Sequence, residues 1–208
     1  MLRSNIPISG GELQKSFHPA FKDDQTFNQL YPLYVRHMAA KHWTPLEAAQ
    51  LAAEFLAEAK DVHVLDIGSG VGKFCFAAAN QKREAMFYGI EQRENLVKHA
   101  VECNKKLDLP NVCFLHGNFT QLDFRQFDHF YFYNSFFENL DGVDKIDDTL
   151  EYSLSLFNYY NRYLYKQLEQ KPKGTRIVTF HGLEGEIPLS YRTVKTYFGG
   201  LLKCWTKV

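Results

Sequence analysis

The chain has 208 residues, with Lys+Arg and Asp+Glu equal at 24 each and a formal net charge of zero. That balance excludes a broad cationic footprint for nucleic acid and confines any such contact to a local patch. No stretch approaches the roughly 18 apolar residues of a membrane span, and Met1 to Gly11 lacks the apolar segment of a secretory leader. The four cysteines, Cys75, Cys103, Cys113 and Cys204, show no C-x-x-C spacing. They read as thiols of a reducing compartment, which makes the cytoplasm the expected location.

In chain order, residues 24–40 read as helical with a break near Pro32. They form part of an N-terminal extension, 1–42, whose Phe17, Phe21, Phe27, Tyr31 and Tyr34 suit a lid, a partner contact or packing back onto the domain. A helix over 45–60 follows, with Thr44 as its cap, Pro45 at the first position and Glu47 three residues after the cap. Strands at 62–67, 86–91, 111–116, 128–134 and 175–181 then alternate with helices at 72–82, 92–107 and 149–170. Such alternation predicts an α/β doubly wound, mostly parallel sheet spanning 43–208. Tyr191–Tyr197 and Leu201–Val208 flank Gly199-Gly200 and read as a C-terminal antiparallel hairpin.

The most informative stretch is Val64-Leu65-Asp66-Ile67-Gly68-Ser69-Gly70-Val71-Gly72, a buried strand running into a glycine turn and a helix. A helix start behind such a turn presents unpaired N–H groups to a ligand. The third glycine follows the second by two residues, whereas the dinucleotide fingerprint needs three, which disfavours a nicotinamide oxidoreductase. Asp66 would repel a pyrophosphate and suits a ligand carrying an ammonium group. Phe87-Tyr88-Gly89-Ile90-Glu91 ends the next strand in a carboxylate 25 residues after Asp66, placed to accept hydrogen bonds from both hydroxyls of a ribose.

The D-x-G-x-G-x-G pattern resembles motif I of the class I S-adenosylmethionine-dependent methyltransferases. The resemblance implies a seven-stranded sheet and S-adenosylmethionine as cofactor, with Gly68, Ser69, Gly70 and Gly72 around its methionine part. Asp66 would then order the amino end and Glu91 hold the ribose. Asn118-Phe119 stands where the family has a Gly-Asp turn near the adenine, with Asn replacing the usual Asp. His42-Trp43-Thr44-Pro45 is similar to the aromatic-Thr-Pro element beside the cofactor in amino-methylating members, which adds Thr44 to the cofactor set.

Asn134-Ser135-Phe136-Phe137 follows the fourth strand and partly resembles the N-P-P-[FY] signature of amino-group methyltransferases, with both prolines lost. It is also similar to the strand end of seven-strand histone-lysine methyltransferases. Asn134 and Glu138 are the catalytic candidates, Asn134 also touching the cofactor. His181 is a further candidate, and Tyr131, Tyr133, Phe136 and Phe137 could line a pocket. Glu138, Asp141, Asp144, Asp147 and Asp148 could attract a cationic acceptor or form a solvated loop. The expected reaction is methylation of an amine, with a protein side chain favoured. A nucleobase or small-molecule acceptor, and a non-catalytic cofactor-binding protein, stay open. No metal site and no membrane partner are expected, and the oligomeric state is undetermined.

Overall fold

A computed structural model describes residues 18–182 and 184–208. Seven strands form one sheet in the order β3-β2-β1-β4-β5-β7-β6: β1 His63–Ile67, β2 Met86–Glu91, β3 Val112–His116, β4 His129–Tyr133, β5 Arg176–Phe180, β6 Tyr191–Tyr197 and β7 Leu202–Lys207. The first five are parallel, and β7 runs antiparallel to both β5 and β6. The sequence-derived α/β fold class is therefore correct, including its C-terminal hairpin. Strand order reverses between β1 and β4, so their carboxyl ends open a crevice at the switch point, where ligands bind in such sheets.

One face is covered by α4 Leu46–Leu56, α5 Lys73–Gln81 and α6 Glu94–Leu107, after three one-turn helices, α1 Asp24–Asn28, α2 Leu33–Arg36 and α3 Ala39–His42. Alanines at 48, 49, 52 and 53 of α4 and at 77, 78 and 79 of α5 are buried, and such small side chains let the two helices pack closely. In α6 the buried residues Leu96, Ala100, Cys103 and Leu107 recur at three- and four-residue spacing. On the other face, α7 Leu154–Glu169 buries Tyr160, Leu164 and Leu168 against the sheet, together with short turns between β3 and β4.

Three expected boundaries shift. The extension breaks at Pro32 as read, and again before Ala39, because Phe27, Tyr31 and Val35 each turn inward to the core. Helix α4 ends at Leu56 rather than 60, since Glu58, Ala59 and Lys60 are exposed and Asp61 must take φ +57° to enter β1. Helix α7 starts at 154 rather than 149, where Ser153 accepts from the Leu156 N–H at 3.1 Å. Thr44 is not the cap of α4. Its hydroxyl instead pairs with the Tyr131 hydroxyl at 2.8 Å, and the Asp24 carboxylate takes the Leu46 N–H at 3.0 Å.

The extension is tied down at its described end. Phe21, Phe27, Tyr31 and Val35 are buried in the same core as α4 and α5, and Tyr31 donates its hydroxyl to the Val71 carbonyl at 2.8 Å. Lys73, 4% exposed, pairs with Asp24 and donates to Asn28 at 3.1 Å beneath the rings of Phe27 and Trp43. Tyr34 is exposed, and Phe17, another of the aromatic candidates, lies outside the described residues.

Candidate active site

The glycine turn sits over the end of β2. Gly68 and Ser69 both donate N–H groups to the Ile90 carbonyl, at 2.9 and 3.0 Å. Gly72 closes the turn at φ +85°, and a Cβ there would lie 2.4 Å from the Phe114 ring. Gly89 has ordinary dihedrals but a Cβ on it would meet the Ser69 hydroxyl at 2.6 Å, so the strand beneath the turn also requires glycine. At Gly70 nothing lies within 4 Å of such a Cβ, which leaves this side of the turn open.

Two buried carboxyls face the turn from adjacent strands. Glu91 ends β2 and accepts from the Gly70 N–H at 3.1 Å and the Arg93 N–H at 2.9 Å. Burial raises its pKa above the usual carboxylate value, against the pull of Arg93 and these N–H groups. Asp66 lies between Gly89 and Tyr131 in register, and the Cys75 thiol donates to it at 3.6 Å. Burial pushes its carboxyl up to about 8, with the Glu91 charge adding to the effect. It lines a small cavity of about 30 Å³ with Trp43, Thr44, Ser69 and Tyr131, room for one or two water molecules.

A larger cavity of about 450 Å³ runs from Gly117 and Phe119, past Glu91 and Gly70, to Asn134 and His42. Asn134 follows β4 at φ +46°, and its amide oxygen is buried without a hydrogen-bond partner among the described residues. Ser135 donates its hydroxyl to the Ile67 carbonyl, locking this turn against the glycine turn. Tyr133, Phe136 and Phe137 line the cavity, whereas Tyr131 stacks on Phe74 at 3.8 Å within the core and touches only the smaller space. His42 lines both cavities, and burial holds its imidazole below the ordinary histidine value.

The other candidates divide. Asn118 stands beside the cavity, but its amide oxygen already accepts from the Thr120 N–H and hydroxyl, at 3.0 and 2.9 Å. Phe119 lines the cavity and stacks on Phe136. His181 is not among the cavity-lining residues; its ring lies against Tyr133 and Phe180. Glu138 lines the wall but is engaged on both oxygens, each receiving Arg93 Nη2 at 2.9 Å, and it also accepts the Ile146 N–H at 2.6 Å.

Arg93 is the residue that sequence reasoning missed. It is 5% exposed, and its guanidinium also reaches Asp147 at 3.2 Å, the Tyr152 hydroxyl at 2.6 Å and Glu91 at 3.6 Å. The available signal was a basic residue two positions after the carboxylate of β2, opposite an acidic run needing a counter-charge. Among the described residues, no three His, Cys, Asp or Glu side chains are arranged to hold a metal ion.

Residues 58–179 match the profile of a family described as a methyltransferase domain. The tRNA (guanine-N(7)-)-methyltransferase of Synechococcus sp. (strain JA-3-3Ab) is 31% identical over 112 residues, covering 54% of this chain and 43% of that protein. The release factor glutamine methyltransferase of Fusobacterium nucleatum is 38% identical over 72 residues, 34% of this chain and 20% of that protein. The chain thus spans less than half the length of these curated relatives. An RNA methyltransferase from Salinibacter ruber, solved with S-adenosyl-L-homocysteine, superposes with a TM-score of 0.56 at 24% identity over 79% of this chain and 93% of that one. TrmN from Thermus thermophilus gives 0.56 at 21% identity over 84% and 52%. These two structures share the fold.

Proposed function

The chain belongs to the class I S-adenosylmethionine-dependent methyltransferases, and on that premise we propose that its acceptor is an amine nitrogen, on a protein side chain in preference to a nucleobase or a small molecule. S-adenosylmethionine is the methyl donor. The site suits it through the open side of the turn at Gly70, the Glu91 carboxylate on the cavity wall and, in the small cavity, the Ser69 hydroxyl, buried without a hydrogen-bond partner among the described residues. When bound, this cofactor supplies a methyl group already activated by a positive sulfur. Glu91 would hold the ribose hydroxyls, and Gly68, Ser69, Gly70 and Gly72 would follow the methionine part. Asp66 would meet the ammonium through water in the small cavity beside Thr44, and Phe119 would flank the adenine. Asn118 would contribute there through its backbone, because its amide oxygen accepts from Thr120 and its amide nitrogen donates to Gln92 and the Tyr160 hydroxyl.

The observation that carries the amine reading is the buried, unpartnered oxygen of Asn134. Leaving such an acceptor unsatisfied costs about 1–3 kcal/mol, which an N–H donor in the cavity would relieve. A neutral amine can donate that N–H while its lone pair points at the methyl group, so Asn134 both recognises and orients it. Glu138 would hold the wall rather than take the proton, since Arg93 occupies both its oxygens. Residues 138–151 carry six carboxylates, and Lys145 within the segment with Arg93 and Lys41 paired to it still leaves an acidic wall, better matched to a cationic side chain than to a phosphate backbone. All four cysteines are free thiols, which supports a reducing, cytoplasmic setting, and no described helix is long and apolar enough to cross a membrane.

Asn134→Ala tests the reading with a labelled methyl group and fractionated cell extract. Turnover on the protein fraction should fall by about a hundredfold while S-adenosylhomocysteine affinity stays within about threefold. Unchanged turnover would make Asn134 a turn former. Label entering only RNA or small molecules would overturn the protein acceptor.

A further inference from the structure

The wall of the large cavity opposite the glycine turn is built from residues 138–152, between the end of β4 and α7, and little regular structure holds it there. Apart from the exposed Lys41–Asp144 pair, the described polar attachments that tie it to the sheet converge on one side chain. Arg93 Nη2 reaches both oxygens of Glu138 and the Tyr152 hydroxyl, and Nε reaches Asp147. The segment is knitted around the same point, with Ile146 N–H donating to Glu138 at 2.6 Å and the Tyr152 hydroxyl donating to the Asp147 carbonyl at 2.7 Å. Arg93 leaves the chain two residues after Glu91, whose carboxylate accepts its N–H and lies 3.6 Å from its guanidinium. A guanidinium presents a rigid planar fork that can serve several oxygens at once, which an ammonium cannot do.

We propose that Arg93 is a positioning residue that makes the 138–152 wall of the acceptor site depend on what occupies Glu91. The inference rests on Glu91 as the ribose ligand of the cofactor, but not on the identity of the acceptor. With a ribose on Glu91 the carboxylate is fixed by further donors, so the guanidinium is held between it and the wall. Without a ribose, the carboxylate keeps only the Gly70 and Arg93 N–H groups and that side of the fork loosens. Cofactor binding and wall ordering are then coupled, and such coupling is reciprocal: what orders the wall must tighten the cofactor by the same factor.

The experiment uses S-adenosylhomocysteine as the probe, hydrogen exchange as the readout of the wall and calorimetry as the readout of affinity. In the unaltered protein, saturating probe should slow exchange of the 139–152 amides by about tenfold, within the usual range of coupling. Asp147→Asn, on a side chain 25% exposed, removes one wall-side charge and leaves the Arg93–Glu91 contact in place. It should lower probe affinity by the same factor by which it reduces the wall's protection on binding. Arg93→Lys should abolish that protection while the protein stays folded by its thermal transition. If Arg93→Lys unfolds the chain, the Asp147→Asn comparison decides alone. Probe that protects the glycine turn but leaves 139–152 unchanged would overturn the coupling. So would an Asp147→Asn wall that loosens at unaltered affinity, since Arg93 would then be structural only. Absence of probe binding to the unaltered protein, or unaltered affinity in Glu91→Ala, would instead remove the ribose assignment beneath it.

Discussion

The two walls of the large cavity are made in different ways. On the side proposed for the cofactor, the glycine turn is fixed mainly by backbone: Gly68 and Ser69 bond the Ile90 carbonyl, the Gly70 N–H meets the Glu91 carboxylate, and Gly72 fits over the Phe114 ring. On the other side, 138–152 is fixed by side chains meeting at Arg93. Backbone ladders leave one arrangement available, whereas a wall hung on side-chain charges can detach without unfolding the sheet. The rigid wall suits a constant ligand and the hung wall suits an acceptor that must enter and leave.

The largest expected effect breaks the rigid wall. Glu91→Ala should weaken S-adenosylhomocysteine by about 1–3 kcal/mol, or roughly fivefold to 150-fold, by calorimetry, because the proposed ribose contact is lost and the Gly70 and Arg93 N–H groups lose their acceptor. Glu91→Gln, which keeps one acceptor oxygen, should lose less. Equal losses would mean that charge rather than hydrogen bonding carries the site.

A second effect comes from pH. Asp66 is neutral below about 8 in the free protein, and a nearby ammonium would favour its charged form. Binding would then release a proton, so affinity should rise with pH between 6 and 8, by at most about tenfold per unit. The folded-state pKa is raised, so Asp66's contribution to stability is full below its unfolded value near 4 and lost as pH climbs through 8. The free protein should therefore melt lower at pH 8 than at pH 6, and Asp66→Asn should flatten both profiles. Affinity independent of pH would place the ammonium elsewhere.

The smallest effect belongs to the hung wall. Lys41 and Asp144 pair across it with side chains 65% and 71% exposed, a geometry of little value in water. Lys41→Ala should leave the melting temperature unchanged in a thermal scan. A clear drop would mean that the extension, and not Arg93, secures this wall.

What the sequence made legible follows the same division. The strand ends, glycine spacing and Glu91 are local signals, because a turn and its flanking strand are contiguous in the chain. Arg93 acquires its role only from Glu138, Asp147 and Tyr152, 45, 54 and 59 residues away. Thr44 misled for a related reason: locally it reads as a cap, and only the fold brings the Tyr131 hydroxyl to it, 87 residues distant. Asn134 was legible as the polar end of an apolar strand, while its unpartnered oxygen required coordinates.

Asp24 has a consequence for how the protein can be cut. The same carboxylate oxygen takes the Leu46 N–H at the start of α4 and the buried ammonium of Lys73 at the start of α5. The family match begins at residue 58, yet a fragment starting there would keep Lys73 and discard its counter-ion, along with the Phe27 and Trp43 rings beside it. Expression boundaries for this chain should therefore be drawn by charge neutrality, upstream of residue 24, rather than by the edge of the recognisable sequence.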